Sequence, residues 1–166
     1  MVTDVRDRTA DRAAEAVAAV PDPELPMVTI ADLGILRAVE VFEGGRVTVT
    51  ITPTYSGCPA MDTIRTDIRR ALTAVGFPDA VVETRLAPAW TTDWMSPEAR
   101  SKLADAGIAP PGPAHGEGPV TVRLSIRCPH CGSPDTGEIS RFGATACKSL
   151  WRCRDCAEPF EHFKAL

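Results

Sequence analysis

The sequence predicts an α+β fold, a small αββαβα sandwich domain followed by an all-β module stapled by a metal ion. Three observations carry that prediction. Apolar residues in the first part change period from helical spacing to strict alternation and back. A seam, Gly107-Ile-Ala-Pro-Pro-Gly-Pro-Ala-His-Gly-Glu-Gly-Pro119, has Gly or Pro at eight of its 13 positions. Five of the six cysteines lie beyond it. The expected organisation is an α+β domain over 1–106, a linker over 107–119 and a cysteine-rich module over 120–166.

Each element has a local cause. Ala10, Ala13, Ala14, Val17 and Ala18 recur at helical spacing, with Asp11, Arg12 and Glu15 on the other side. Val20-Pro-Asp-Pro-Glu-Leu-Pro26 stops this helix, because a residue before proline avoids the α region. Ile35–Phe42 reads as a strand, Glu43-Gly44-Gly45 as a tight turn, and Val47, Val49 and Ile51 alternate with threonines in a second strand. Met61, Ile64, Ile68, Leu72 and Val75 mark one face of a helix over Pro59–Val75, with Pro59 at its first position and Gly76 ending it. Ala80–Leu86 is the third strand. Ser96 caps a last helix that Gly107 ends. All helices are expected on one face of the sheet.

Composition narrows the function. Eighteen Lys+Arg against 22 Asp+Glu leave a charge of −4, which argues against a chain that grips phosphate backbones. No apolar run approaches the ~20 residues of a membrane span. The first residues lack the apolar core of a signal peptide, so a cytoplasmic, reducing location is expected. There cysteines bind metals or react more often than they pair.

Cys58 stands alone just before the second helix. A helix N-terminus favours a thiolate, so one reading is a reactive or metal-touching thiol. The other is a small hydrophobe filling the joint between sheet and helix. Asp22, Glu24 and Asp32 flank the Pro-rich turn. Folded over the helix end they suit a transient metal or cluster site; otherwise they solvate the turn, with Asp32 capping a short helix. All three histidines (His115, His130, His162) come later in the chain, so a Cys–His catalytic pair within the first domain is not available.

Cys128-Pro-His-Cys131 and Cys153-Arg-Asp-Cys156 are two C-x-x-C pairs with a hairpin's length between them. Four thiolates in a tetrahedron suit Zn²⁺, and the pattern is that of a zinc ribbon. Iron on the same sulfurs is the rival reading. A 47-residue module has too little core to fold unaided, so the metal is expected to be structural. Four protein ligands leave no open position for catalysis. Strands are expected at Val120–Ile126, Lys148–Cys153 and Pro159–Phe163. Cys147 is a spare thiol for packing, ligation or a partner's metal. Trp151, Phe160 and Phe163 cover the hairpin or, if exposed, form a docking face.

Asp22-Pro-Glu24, Asp32-Leu-Gly34, Thr52, Gly57-Cys58-Pro59 and Pro88-Ala-Trp90 together resemble the iron–sulfur-assembly-associated domain of SufT-like proteins. With Trp90-Thr-Thr-Asp-Trp94, Phe142-Gly-Ala-Thr-Ala-Cys147-Lys148 and the cysteine ribbon, the whole resembles the PaaD family of the bacterial phenylacetate pathway. The resemblance implies an accessory subunit of the phenylacetyl-CoA epoxidase system, without catalysis of its own, that helps iron or iron–sulfur maturation. Its partners would be the oxygenase and/or reductase subunits. It implies Cys58 as functional thiol with Asp22, Glu24, Asp32 and Thr52 around it, structural Zn²⁺ on Cys128, Cys131, Cys153 and Cys156, and transient iron or an iron–sulfur cluster as cargo. Elimination agrees: the chain has no Glu-x-x-His pair for a di-iron site and no Gly-rich nucleotide fingerprint, its sole G-x-G (Gly116-Glu-Gly118) lying in the linker. The alternative is a zinc-ribbon docking adaptor with no metal transfer. A homodimer through an edge strand is also expected to be accessible.

Overall fold

The computed structural model describes residues 3–112 and 126–166. Its contacts divide the chain into two units, Met1–Trp90 and Thr91–Leu166.

The first unit begins with α1 (Thr3–Ala18), which buries Ala13 and Val17 completely. Strands β1 (Leu36–Val41) and β2 (Val47–Ile51) form an antiparallel hairpin in the register Val41↔Val47 to Leu36↔Ile51, with one irregularity between Leu36 and Ala38. Gly44 and Gly45 both hold the left-handed backbone that so short a turn needs, φ 85° and 80°. Helix α2 (Met61–Ala74) buries Met61, Ile64, Ile68 and Leu72, the face expected from their spacing. It crosses over to β3 (Val81–Thr84), which pairs parallel with β2. The sheet order is β1-β2-β3. The central strand accordingly buries Val47, Val49 and Ile51 completely. Helices α1 and α2 pack against each other, and the buried Trp90 donates its Nε1–H to the Leu33 carbonyl at 3.0 Å.

Two expectations here need correction. Helix α2 starts at Met61 rather than Pro59, because Cys58 and Ala60 are taken up in a turn; the Cys58 carbonyl accepts from Met61 N at 3.4 Å. The last helix, α3 (Pro97–Asp105), does form with Ser96 as its cap, but it belongs to the second unit.

The reason for that placement lies in the stretch expected to be linker. Gly107, at φ 78°, ends α3, and Ile108–Ala109 immediately forms β4, parallel to β7 (Pro159–Phe163). Arg100 of α3 donates to the carbonyls of Thr92 and Pro111, so both flanks of the helix are tied to it. The four-stranded sheet runs β4-β7-β6-β5, with β5 at Thr136–Ser140 and β6 at Lys148–Cys153. β6 and β7 fall where the sequence predicts. The expected strand Val120–Ile126 lies outside the described residues except for Ile126, whose carbonyl accepts from Thr136 Oγ1 at 2.5 Å.

Candidate metal centre and thiol cleft

Two short turns present the C-terminal sulfurs. Cys128 N donates to Ser133 O at 2.9 Å and Cys153 N to Glu158 O at 3.0 Å, the same five-residue closure in each C-x-x-C knuckle. Side chains then tie one knuckle to the other. Ser133 Oγ donates to Asp155, and Arg154 pairs with Asp135 at 3.1 Å. The Sγ atoms of Cys128, Cys131, Cys153 and Cys156 all lie within 4.8 Å of one another. The pairs Cys128–Cys156 and Cys131–Cys153 are 3.7 and 3.5 Å apart. A tetrahedron with metal–sulfur bonds of ~2.3 Å has edges of about 3.8 Å, so the donor set fits a tetrahedral, thiophilic ion.

The electrostatics point the same way. The backbone N–H of Cys156 brings the Cys153 thiol down to about 7. The Ser133 N–H pulls on Cys131 in the same sense, but the neighbouring sulfurs, Cys153 foremost, push it up to about 12. Four sulfurs this close cannot all ionise without a cation among them. Cys128 and Cys153 are buried in a cluster with Ala109 and Phe160, against which Ile126 and Trp151 pack. All four positions are filled by protein, which makes the centre a closed one.

Cys58 lies elsewhere, in the first unit, half-buried on the turn before α2. It opens on a cleft of about 490 Å³ whose wall includes Ser56, Asp62, Arg65, Thr84 and Leu86. The Arg65 guanidinium is fixed across it, donating to Asp62 at 2.6 Å and to Thr84 Oγ1 at 2.9 Å. Leu86, 60% exposed, forms an apolar lip. The geometry therefore offers a thiol, a cation and an apolar edge to a visitor from solvent.

The other residues expected near Cys58 do not line this cleft. Asp22 is buried and its Oδ1 accepts from the N–H groups of Glu24 and Leu25, both at 2.9 Å. Asp32 and Thr29 cap each other, side chain to backbone, at 3.1 and 3.0 Å. Glu24 is exposed on the same turn, and Thr52 is buried one residue before Pro53, a lining residue. Both aspartates thus shape the Pro-rich turn.

Comparison with known proteins follows the two units. Residues 113–164 match the family model described as the PaaD zinc beta ribbon domain, and residues 11–83 match the one described as iron-sulfur cluster assembly protein. An Escherichia coli protein named provisionally as a subunit of 1,2-phenylacetyl-CoA epoxidase is 49% identical over 149 residues, 89% of this chain and 87% of that protein. This chain belongs to the PaaD family.

Other relatives match about half of this PaaD-family chain. A Porphyromonas gingivalis protein named Fe-S protein maturation auxiliary factor is 41% identical over 51% of this chain and 80% of itself. The crystal structure of a DUF59 domain from Bacillus anthracis matches with TM-score 0.54 and 30% identity, covering 58% of this chain and 92% of that one. Arg65 and Thr84 are the site residues that sequence reasoning missed. Arg65 is spaced as part of the solvent face of α2, and only the parallel docking of β3 brings Thr84 to it.

Proposed function

We propose that the chain is an accessory subunit of the phenylacetyl-CoA epoxidase system of aerobic phenylacetate degradation. In this reading it is a cytoplasmic, non-enzymatic factor for iron or iron–sulfur maturation of the oxygenase or reductase. Zn²⁺ on Cys128, Cys131, Cys153 and Cys156 supplies ribbon stability, and Cys58 holds iron or a cluster as cargo in transit. The names of the E. coli and P. gingivalis relatives support the reading. The observation that carries it is the separation of roles among the thiols: four close a tetrad, while Cys58 stands on an open cleft beside Arg65.

Cys58→Ala tests this. The variant should fold, keep one zinc per chain by elemental analysis, and leave the oxygenase or reductase purified from the same cells short of iron. Full iron occupancy in both partners would sink the proposal. So would a zinc loss equal to that of Cys153→Ser.

A further inference from the structure

The tip of the β5–β6 hairpin displays apolar side chains on a backbone that is fixed in place. Ile139 is the extra residue of a bulge between Glu138 and Ser140, and it is 55% exposed. Bulges re-aim side chains in this way. Phe142 is 69% exposed. Ser140 Oγ locks its turn, donating to Phe142 O at 2.9 Å and accepting from Phe142 N at 3.2 Å. Behind it the Glu161 carboxylate accepts from Ala144 N at 3.0 Å and from the buried Lys148 ammonium at 2.6 Å. A Cβ on Gly143 would come within 2.9 Å of that carboxylate, so glycine at 143 lets the loop approach without displacing it. Ordering a loop costs free energy on binding, and this loop is ordered beforehand.

Cations flank the aromatic. Lys164 Nζ stands 5.1 Å from the Phe142 ring centroid and donates to the Arg141 carbonyl. Among the described residues neither Arg141 nor Lys164 is in an ion pair. From 126 onward, however, six Lys+Arg (127, 141, 148, 152, 154, 164) face five acids (135, 138, 155, 158, 161), a balance unsuited to phosphate backbones.

We propose that Phe142, with Ile139 three positions before it in the chain and Arg141 and Lys164 at its rim, is an anchor that inserts into an apolar, carboxylate-rimmed pocket on a subunit of the epoxidase system. An aromatic anchor ringed by charge is the usual make-up of a binding hot spot, and rim cations speed encounter with an acidic surface. The inference rests on the accessory-subunit reading for the identity of the partner. It is independent of Cys58.

The test measures binding of the full-length, zinc-loaded chain to purified oxygenase and to purified reductase at low and moderate salt. Phe142→Ala should weaken binding to one of them at least tenfold while keeping wild-type zinc content and thermal unfolding. Arg141→Glu with Lys164→Glu should slow association about tenfold and flatten its salt dependence. Cys58→Ala should bind like wild type. Wild-type binding that survives both surface variants overturns the anchor and leaves the accessory role standing. A wild type that binds neither subunit overturns both. Tight binding to a single-stranded oligouridine, or a homodimer, that Phe142→Ala abolishes in place of subunit binding also overturns the anchor.

Discussion

Gly132 and Ala157 occupy the same place in the two knuckles, one residue after the second cysteine, and share a left-handed backbone, φ 76° and 64°. For Ala157 that conformation costs about 1 kcal/mol, because its Cβ crowds the carbonyl. Ala157→Gly relieves the strain and also loosens the unfolded chain, so a net gain of roughly 0.5 kcal/mol is expected. Gly132→Ala meets open space, so the same two effects act in reverse and the net cost should be roughly 0.5 kcal/mol. Denaturant unfolding of the metal-loaded protein checks both signs. A loss on Ala157→Gly or a gain on Gly132→Ala would contradict the assignment.

Metal removal should act on one unit. The core against the four sulfurs is small, Ala109 and Phe160 with Ile126 and Trp151 packed on it, and a ribbon of this size depends on its ion. The first unit fully buries Val47, Val49, Ile51, Ile64, Ile68 and Leu72 and has none of the four ligands. Chelation, or Cys153→Ser, should abolish amide-exchange protection in β5, β6 and β7 and preserve it in β2 and α2. Loss of protection in both sets together would contradict independent stabilisation.

His162 makes stability depend on pH. Its ring is buried, Nε2 has no hydrogen-bond partner, and burial pushes its pKa from 6.5 down to about 4. A base with a depressed folded pKa takes its proton more readily when unfolded. Its contribution is intact above about pH 6.5 and is lost as pH falls toward 4. By pH 5 the loss amounts to about 2 kcal/mol. The thiolates titrate in both proteins, so the informative quantity is the difference from His162→Leu. Between pH 7 and 5 the wild type should lose stability more steeply than this variant. Parallel curves would show that the ring does not titrate as described.

These features were unequally legible in the sequence. The β1–β2 hairpin could be read because Glu43-Gly44-Gly45 and the alternation of Val47, Val49 and Ile51 state the turn and the register independently. The metal centre could be read because C-x-x-C spacing is itself a geometric instruction. The unit boundary could not. Ile108-Ala109 is two apolar residues in a Gly/Pro-rich run, too short for any period, and β4 exists only because β7 offers an edge. Strand β5 was equally silent, since Thr136-Gly-Glu-Ile-Ser140 has a single large apolar residue and the bulge turns it outward. The surroundings of Cys58 were half legible. The acids follow the Pro-rich turn and serve it, whereas Arg65 reaches the cleft through a long-range contact that no local pattern encodes.

The approach of Gly143 to Glu161 supplies a final prediction, because it couples a backbone position to the partner of a buried lysine. Alanine at 143 would meet Glu161 Oε1 at 2.9 Å and the Lys148 Cβ at 3.2 Å. The carboxylate cannot swing away freely, since it holds both Ala144 N and the Lys148 ammonium, whose side chain is only 6% exposed. Displacing it strands a buried cation, so Gly143→Ala should cost roughly 2–3 kcal/mol. Glu161→Ala alone should cost at least as much, for the same reason. Once the carboxylate is gone the main clash at 143 goes with it, so the two substitutions should be strongly sub-additive. A double-mutant cycle by denaturant unfolding should show Gly143→Ala losing more than half of its cost in the Glu161→Ala background. Additive costs would mean that the crowding at 143 comes from Lys148 and its backbone, and that the carboxylate does not hold the loop.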